Sequence, residues 1–125
     1  MRTIVLTTAL ALVSIAACET SQADNMSGED LKALLSDGLT MKLGGPGEGY
    51  SGEVKLDPNG KGSGSAVLDN GKTLDITGIW EIVGDQFCRE WRFDDFKRTC
   101  ETWRRTGPRR VDVLVDGKKV GVNSW

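Results

Sequence analysis

From residue 39 onward, a turn signal cuts the chain about every ten residues, and the stretches between the cuts alternate apolar with polar side chains. Such a chain cannot build long helices, and it cannot build the strand–helix–strand units of a parallel sheet. The punctuation is Gly44-Gly45-Pro46-Gly47, Asp57-Pro58-Asn59-Gly60, Asp69-Asn70-Gly71, Gly84-Asp85, Gly107-Pro108 and Asp116-Gly117. Asn-Gly and Asp-Gly tolerate the positive φ that tight hairpin turns require. Sixteen of the 125 residues are glycine, which fits so many turns. Strands are expected at 40–43, 50–56, 62–68, 73–83, 86–93, 97–105, 111–115 and 120–123. The longest, 73–83, carries Leu74, Ile76, Gly78, Trp80 and Ile82 on one face. The fold class is therefore mainly β. It is a small antiparallel meander or barrel of seven to eight strands, and closure would remove unpaired strand edges.

One helix precedes the strands. Ser27 stands where it can cap the backbone N–H of Asp30, and Glu29 and Asp30 lie in the first turn, where the helix dipole favours negative charge. Leu31, Leu34 and Leu35 share one face, and Gly38 can close the last turn, so a helix is expected over 28–37. Residues 27–125 then form a single β-rich domain with an N-terminal helix, of a length that holds one modest core.

Two Cys-x-x-Trp units, Cys88-Arg89-Glu90-Trp91 and Cys100-Glu101-Thr102-Trp103, stand twelve residues apart. Positions three apart on a strand face opposite sides, so the cysteines share one face and the tryptophans the other. Phe87, Trp91, Phe93 and Trp103 would form the apolar inner side, with a Cys88–Cys100 disulfide on the outer side of one hairpin and Asp94-Asp95 near its tip. Arg89 and Glu101 then fall among the aromatics as diagonal neighbours. They form either an internal ion pair or the polar spot of a pocket. Arg89, Trp91, Glu101 and Trp103 are accordingly candidate binding residues.

A second candidate is the group Arg104, Arg105, Arg109 and Arg110 around Gly107-Pro108. It is either a solvated turn or a contact for phosphate or carboxylate. Charge is divided along the chain. Residues 19–85 hold twelve acidic and five basic side chains, and residues 86–125 hold ten basic and six acidic. Basic and aromatic residues do not interleave densely enough to indicate a nucleic-acid partner.

The chain has no histidine. Ser-His-Asp and Cys-His catalysis and His-ligated zinc are thereby excluded. No carboxylate pair stands out by spacing, and Gly60-Lys61-Gly62-Ser63-Gly64 lacks the following helix that a phosphate-binding loop requires. No catalytic residue, metal ligand or cofactor is expected, and the chain does not read as an enzyme.

Residues 1–17 read as an export signal. Met1-Arg2 gives a positive start, and an uncharged, mostly apolar run follows from Ile4 to Ala17, too short to span a bilayer permanently. The run ends Ile15-Ala16-Ala17-Cys18, which resembles the bacterial lipoprotein signal, or lipobox. That resemblance implies cleavage before Cys18, a lipid on its sulfur, and attachment to a membrane. Glu19, where inner-membrane retention typically has aspartate, implies the outer membrane. Residues 18–26 would be a tether. The other reading is an ordinary secretory signal cut after Ser21-Gln22-Ala23, giving a free periplasmic or secreted protein. Either way the protein is expected in the cell envelope or beyond it.

In form, the expected domain is similar to small exported bacterial β-barrels, a group that includes lipocalin-like binders and periplasmic inhibitors of lysozyme and proteases. Two functions follow from that likeness. One is a lipid-anchored envelope protein that binds a partner protein or small ligand, marked by an apolar pocket reached from one end. The other is an enzyme inhibitor, marked by a filled barrel and a rigid loop at 44–49 or at Asp94-Asp95.

Overall fold

The computed structural model describes residues 24–125. The export signal and Cys18 lie outside the described residues. Nine strands follow one helix: α1 (Gly28–Leu35), β1 (Leu39–Gly44), β2 (Tyr50–Leu56), β3 (Lys61–Leu68), β4 (Thr73–Asp75), β5 (Gly78–Val83), β6 (Gln86–Trp91), β7 (Arg98–Gly107), β8 (Arg110–Val115) and β9 (Lys118–Ser124). Eight of them close a barrel in the order β1-β2-β3-β5-β6-β7-β8-β9, and all neighbours are antiparallel. Lys42 opposite Ser124 and Leu43 opposite Asn123 bring β9 back to β1.

The expected strand 73–83 is two strands. β4 pairs with the far half of β3, Ser65 opposite Asp75, and β5 pairs with its start, Lys61 opposite Ile79. The break falls at Ile76-Thr77, although both strands keep one register against β3 and the Ile76 N–H still donates to the Gly64 carbonyl at 2.9 Å. The Thr77 carbonyl accepts from the Arg92 N–H at 2.9 Å, beyond the end of β6, and the Thr77 hydroxyl donates to Asp75 Oδ1 at 2.5 Å. Ile76 is buried despite the break.

Helix α1 is shorter than expected, ending at Leu35 instead of 37. Ser27 Oγ accepts from the Asp30 N–H at 3.1 Å, and Asp30 Oδ2 accepts from the Ser27 N–H at 3.2 Å, so the cap is reciprocal. With these bonds and Arg105 3.3 Å away, the Asp30 carboxyl is held below its ordinary range, the Ser27 bonds contributing most. The Gly28 N–H donates to Asp85 Oδ1 at 2.7 Å. This docks the helix at the β5–β6 turn, so tightly that a Cβ on Gly28 would lie 2.0 Å from the Gly84 carbonyl oxygen. Leu31 and Leu35 are fully buried in the same core as Met41, Leu56 and Trp103, and the helix thus closes that end of the barrel.

The tether expected through residue 26 ends earlier. Asn25 bridges to Arg104, the Met26 N–H donates to the Trp103 carbonyl at 2.8 Å, and the Met26 side chain is buried. A single methionine after a polar run carries no periodicity, so its place in the core was not visible in sequence.

Cys88 and Cys100 are directly opposite in the β6–β7 register and form a disulfide. With a separation of 12 residues, the cross-link stabilises by about 3 kcal/mol through loop-closure entropy. Thermal unfolding of the C88A/C100A protein is expected roughly 12 °C or more below that of the oxidised parent. An unchanged midpoint would show that the hairpin is already as restricted in the unfolded chain.

Candidate functional site

The interior is not filled. A cavity of about 250 Å³ runs within the barrel, lined by residues of every closed strand except β5, together with Leu74, Ile76 and Phe93. Its walls are mostly apolar, including Met41, Val54, Leu56, Ala66 and Val113. Small residues create the space and seat the large ones. A Cβ on Gly62 would lie 2.5 Å from the Trp91 ring, and one on Gly121 would lie 2.2 Å from Tyr50 Oη. Two lining residues, Phe93 at 40% and Val120 at 55% exposure, are open to solvent and mark the mouth. Phe93 follows the end of β6, whereas α1 sits at its start, so mouth and helix are at opposite ends.

Four polar side chains line this space: Tyr50, Arg89, Glu101 and Asn123. Alternation on β6 and β7 turns Phe87, Arg89, Trp91, Glu101 and Trp103 to the cavity and leaves Cys88 and Cys100 out of it. Arg89 Nε donates to Glu101 Oε2 at 2.6 Å, and the Trp103 indole N–H donates to Glu101 Oε1 at 3.0 Å. The pair is shielded, with 14% and 8% of the two side chains exposed. Arg89 Nη1 is buried and finds no hydrogen-bond acceptor among the described residues. The Arg89 guanidinium carbon lies 5.7 Å from the centre of the Phe93 ring, within cation–π range.

Tyr50 Oη accepts from the Val122 N–H at 3.0 Å. Burial pushes the phenol above its ordinary value of 10.0, with Glu48 and Glu101 adding to the rise and the Val122 bond opposing it. The fold therefore holds this proton more tightly than the unfolded chain does. The resulting stability is complete below pH 10 and is lost as pH rises through the raised value. Tyr50 is the only tyrosine, so phenolate absorbance reports it alone. We expect the folded protein to titrate at higher pH than the urea-unfolded chain; a coincident titration would mean the phenol is solvated.

The sequence candidates are divided between two places. Arg89, Trp91, Glu101 and Trp103 meet on one cavity wall. The four arginines around Gly107-Pro108 line no part of it. Arg104 pairs with Asp112 at 3.0 Å, Arg105 with Asp30 at 3.3 Å, and Arg110 with Glu48 at 3.7 Å, whereas Arg109 makes no ion pair among the described residues. Glu48 also meets Lys119 at 3.8 Å, tying the 44–49 loop back to the barrel wall. Tyr50, Asn123, Val120 and Gly121 were missed. Tyr50 lies far along the chain from the Cys-x-x-Trp units and meets β9 only through closure of β9 on β1, whereas Asn123, Val120 and Gly121 stand on β9, two strands from β7. Among the described residues, no group of three or more Cys, Asp or Glu is placed to hold a metal ion.

Comparison with protein families, with characterised proteins and with solved structures finds no match to this chain.

Proposed function

We propose that this is an exported cell-envelope protein, attached through lipid on Cys18, whose barrel takes up a small apolar ligand. The cavity of about 250 Å³ carries the reading. Ligand pockets are concave and mostly apolar, with a few fixed polar groups, and run from about 300 Å³ upward. This cavity stands just below that range, suited to a small ligand. A hollow interior with an open mouth favours a binder over an inhibitor, whose barrel has no use for internal space. The export half of the proposal rests on residues 1–18, and no catalytic step forms part of it.

Uptake is tested calorimetrically with ethylbenzene, a neutral apolar probe that matches the size of the cavity. The purified protein is expected to give a saturable heat of binding. Leu74→Trp, which fills space at a half-buried lining position, is expected to abolish it while the protein stays folded. Absence of saturable uptake, or undiminished uptake in the variant, would overturn the binding reading. Attachment is tested separately: Cys18→Ser should release the protein from the membrane fraction, and continued fractionation with membranes would overturn the anchor.

A further inference from the structure

The charge count inside the barrel narrows what the cavity can accept. This step rests on the ligand-binding reading above and deepens it. The cavity wall carries one cation, Arg89, and one anion, Glu101, in contact at 2.6 Å. Both Glu101 oxygens are engaged, one by Arg89 and one by the Trp103 indole. The guanidinium has used its Nε donor on Glu101, while Nη1 remains buried without an acceptor among the described residues. A buried donor of this kind is costly when unmade, and more costly when it belongs to a charged group.

An anionic head group would meet attraction from Arg89 and repulsion from Glu101 at similar range. These largely cancel, and the cost of stripping water from the anion is left without return. A cationic head group fails by the same count and also meets a donor where it needs an acceptor. An uncharged acceptor suffers neither difficulty. A carbonyl oxygen satisfies Nη1 and adds no charge to a neutral site. Taking about 30 Å³ per non-hydrogen atom, the liquid share of a water molecule, the cavity has room for about eight such atoms.

We infer that the barrel binds an uncharged, medium-chain carbonyl compound such as a ketone, ester or amide, with its oxygen accepting a hydrogen bond from Arg89. Tyr50, which lines the same cavity from β2, is neutral and keeps the site free of further charge.

The test is a calorimetric titration of the purified protein at neutral pH with 2-octanone, heptanoate and octylammonium, three ligands matched in size. The ketone is expected to bind about tenfold or more tightly than either ion. With ¹³C at the ketone carbonyl, the bound infrared stretch is expected to move to lower frequency than in hydrocarbon. The shift should vanish in R89M/E101L, which removes both charges together and leaves neither stranded. That protein is expected to hold the ketone about tenfold more weakly. If R89M/E101L fails to fold, the ligand series and the carbonyl shift in the parent decide the matter alone. Heptanoate binding as tightly as the ketone overturns the inference, and so does a carbonyl stretch that is unshifted or stays shifted in R89M/E101L. If ethylbenzene is taken up and the ketone is not, the inference fails while the ligand-binding reading stands. If neither is taken up, both fail.

Discussion

Replacing Glu101 with alanine is expected to cost about 3–5 kcal/mol, one of the two largest losses from any single change in this protein. Removing the carboxylate strands a shielded guanidinium and takes the acceptor from the Trp103 indole at the same time. Exposure decides the size of the effect. The Arg92–Asp75 pair, at 3.8 Å with 62% and 49% of the two side chains exposed, should contribute less than about 1 kcal/mol when broken. Urea unfolding of Glu101→Ala and of Asp75→Ala measures both. R89M/E101L should recover most of the Glu101→Ala loss, because it removes the stranded charge along with its partner. A Glu101→Ala loss no larger than that of Asp75→Ala would mean that water reaches Arg89 freely. It would also remove the basis for an unsatisfied donor in the cavity.

Trp103→Ala is the second, again at about 3–5 kcal/mol. The residue is 1% exposed, its ring centre lies 4.8 Å from that of Phe87, and Phe87 in turn stacks on Trp80 at 5.6 Å. A large part of one barrel wall therefore rests on this side chain. The barrel already encloses empty space and cannot easily collapse into more, which places the cost toward the upper end. Trp103→Phe separates the contributions. It keeps most of the ring contact but loses the bond to Glu101 and part of the buried ring volume, so a loss of about 2 kcal/mol is expected. Equal losses for the two variants would locate the effect in the hydrogen bond instead of the packing.

How much of this was legible in sequence depended on the range of the physics. Turns are local, and the Asn-Gly and Asp-Gly pairs marked hairpins where the structure has them: Gly71 and Gly117 take φ of 87° and 77°. Strand alternation is also local. It placed Arg89 and Glu101 on the inner face beside Trp91 and Trp103, with the disulfide directed away from them. The split of residues 73–83 was hidden because β4 and β5 keep one register against β3, so the alternation of side chains runs on through the break. The arginine quartet shows the opposite failure. Neighbours in sequence suggested one cluster, but three of the four are committed to carboxylates on different elements. The cavity was least legible of all. Its size depends on Gly62 meeting Trp91 and Gly121 meeting Tyr50, contacts that exist only once the barrel has closed.

Uptake of a ligand inside the barrel, the central claim, is tested most directly by NMR of methyl-labelled protein with 2-octanone. Binding inside gives intermolecular cross-peaks from the ligand to the buried methyls of Met41, Val54, Ala66 and Val113, at one ligand per chain. Cross-peaks confined to the exposed methyls of Val67, Ile79 and Val83 would place the ligand on the outer surface and contradict it.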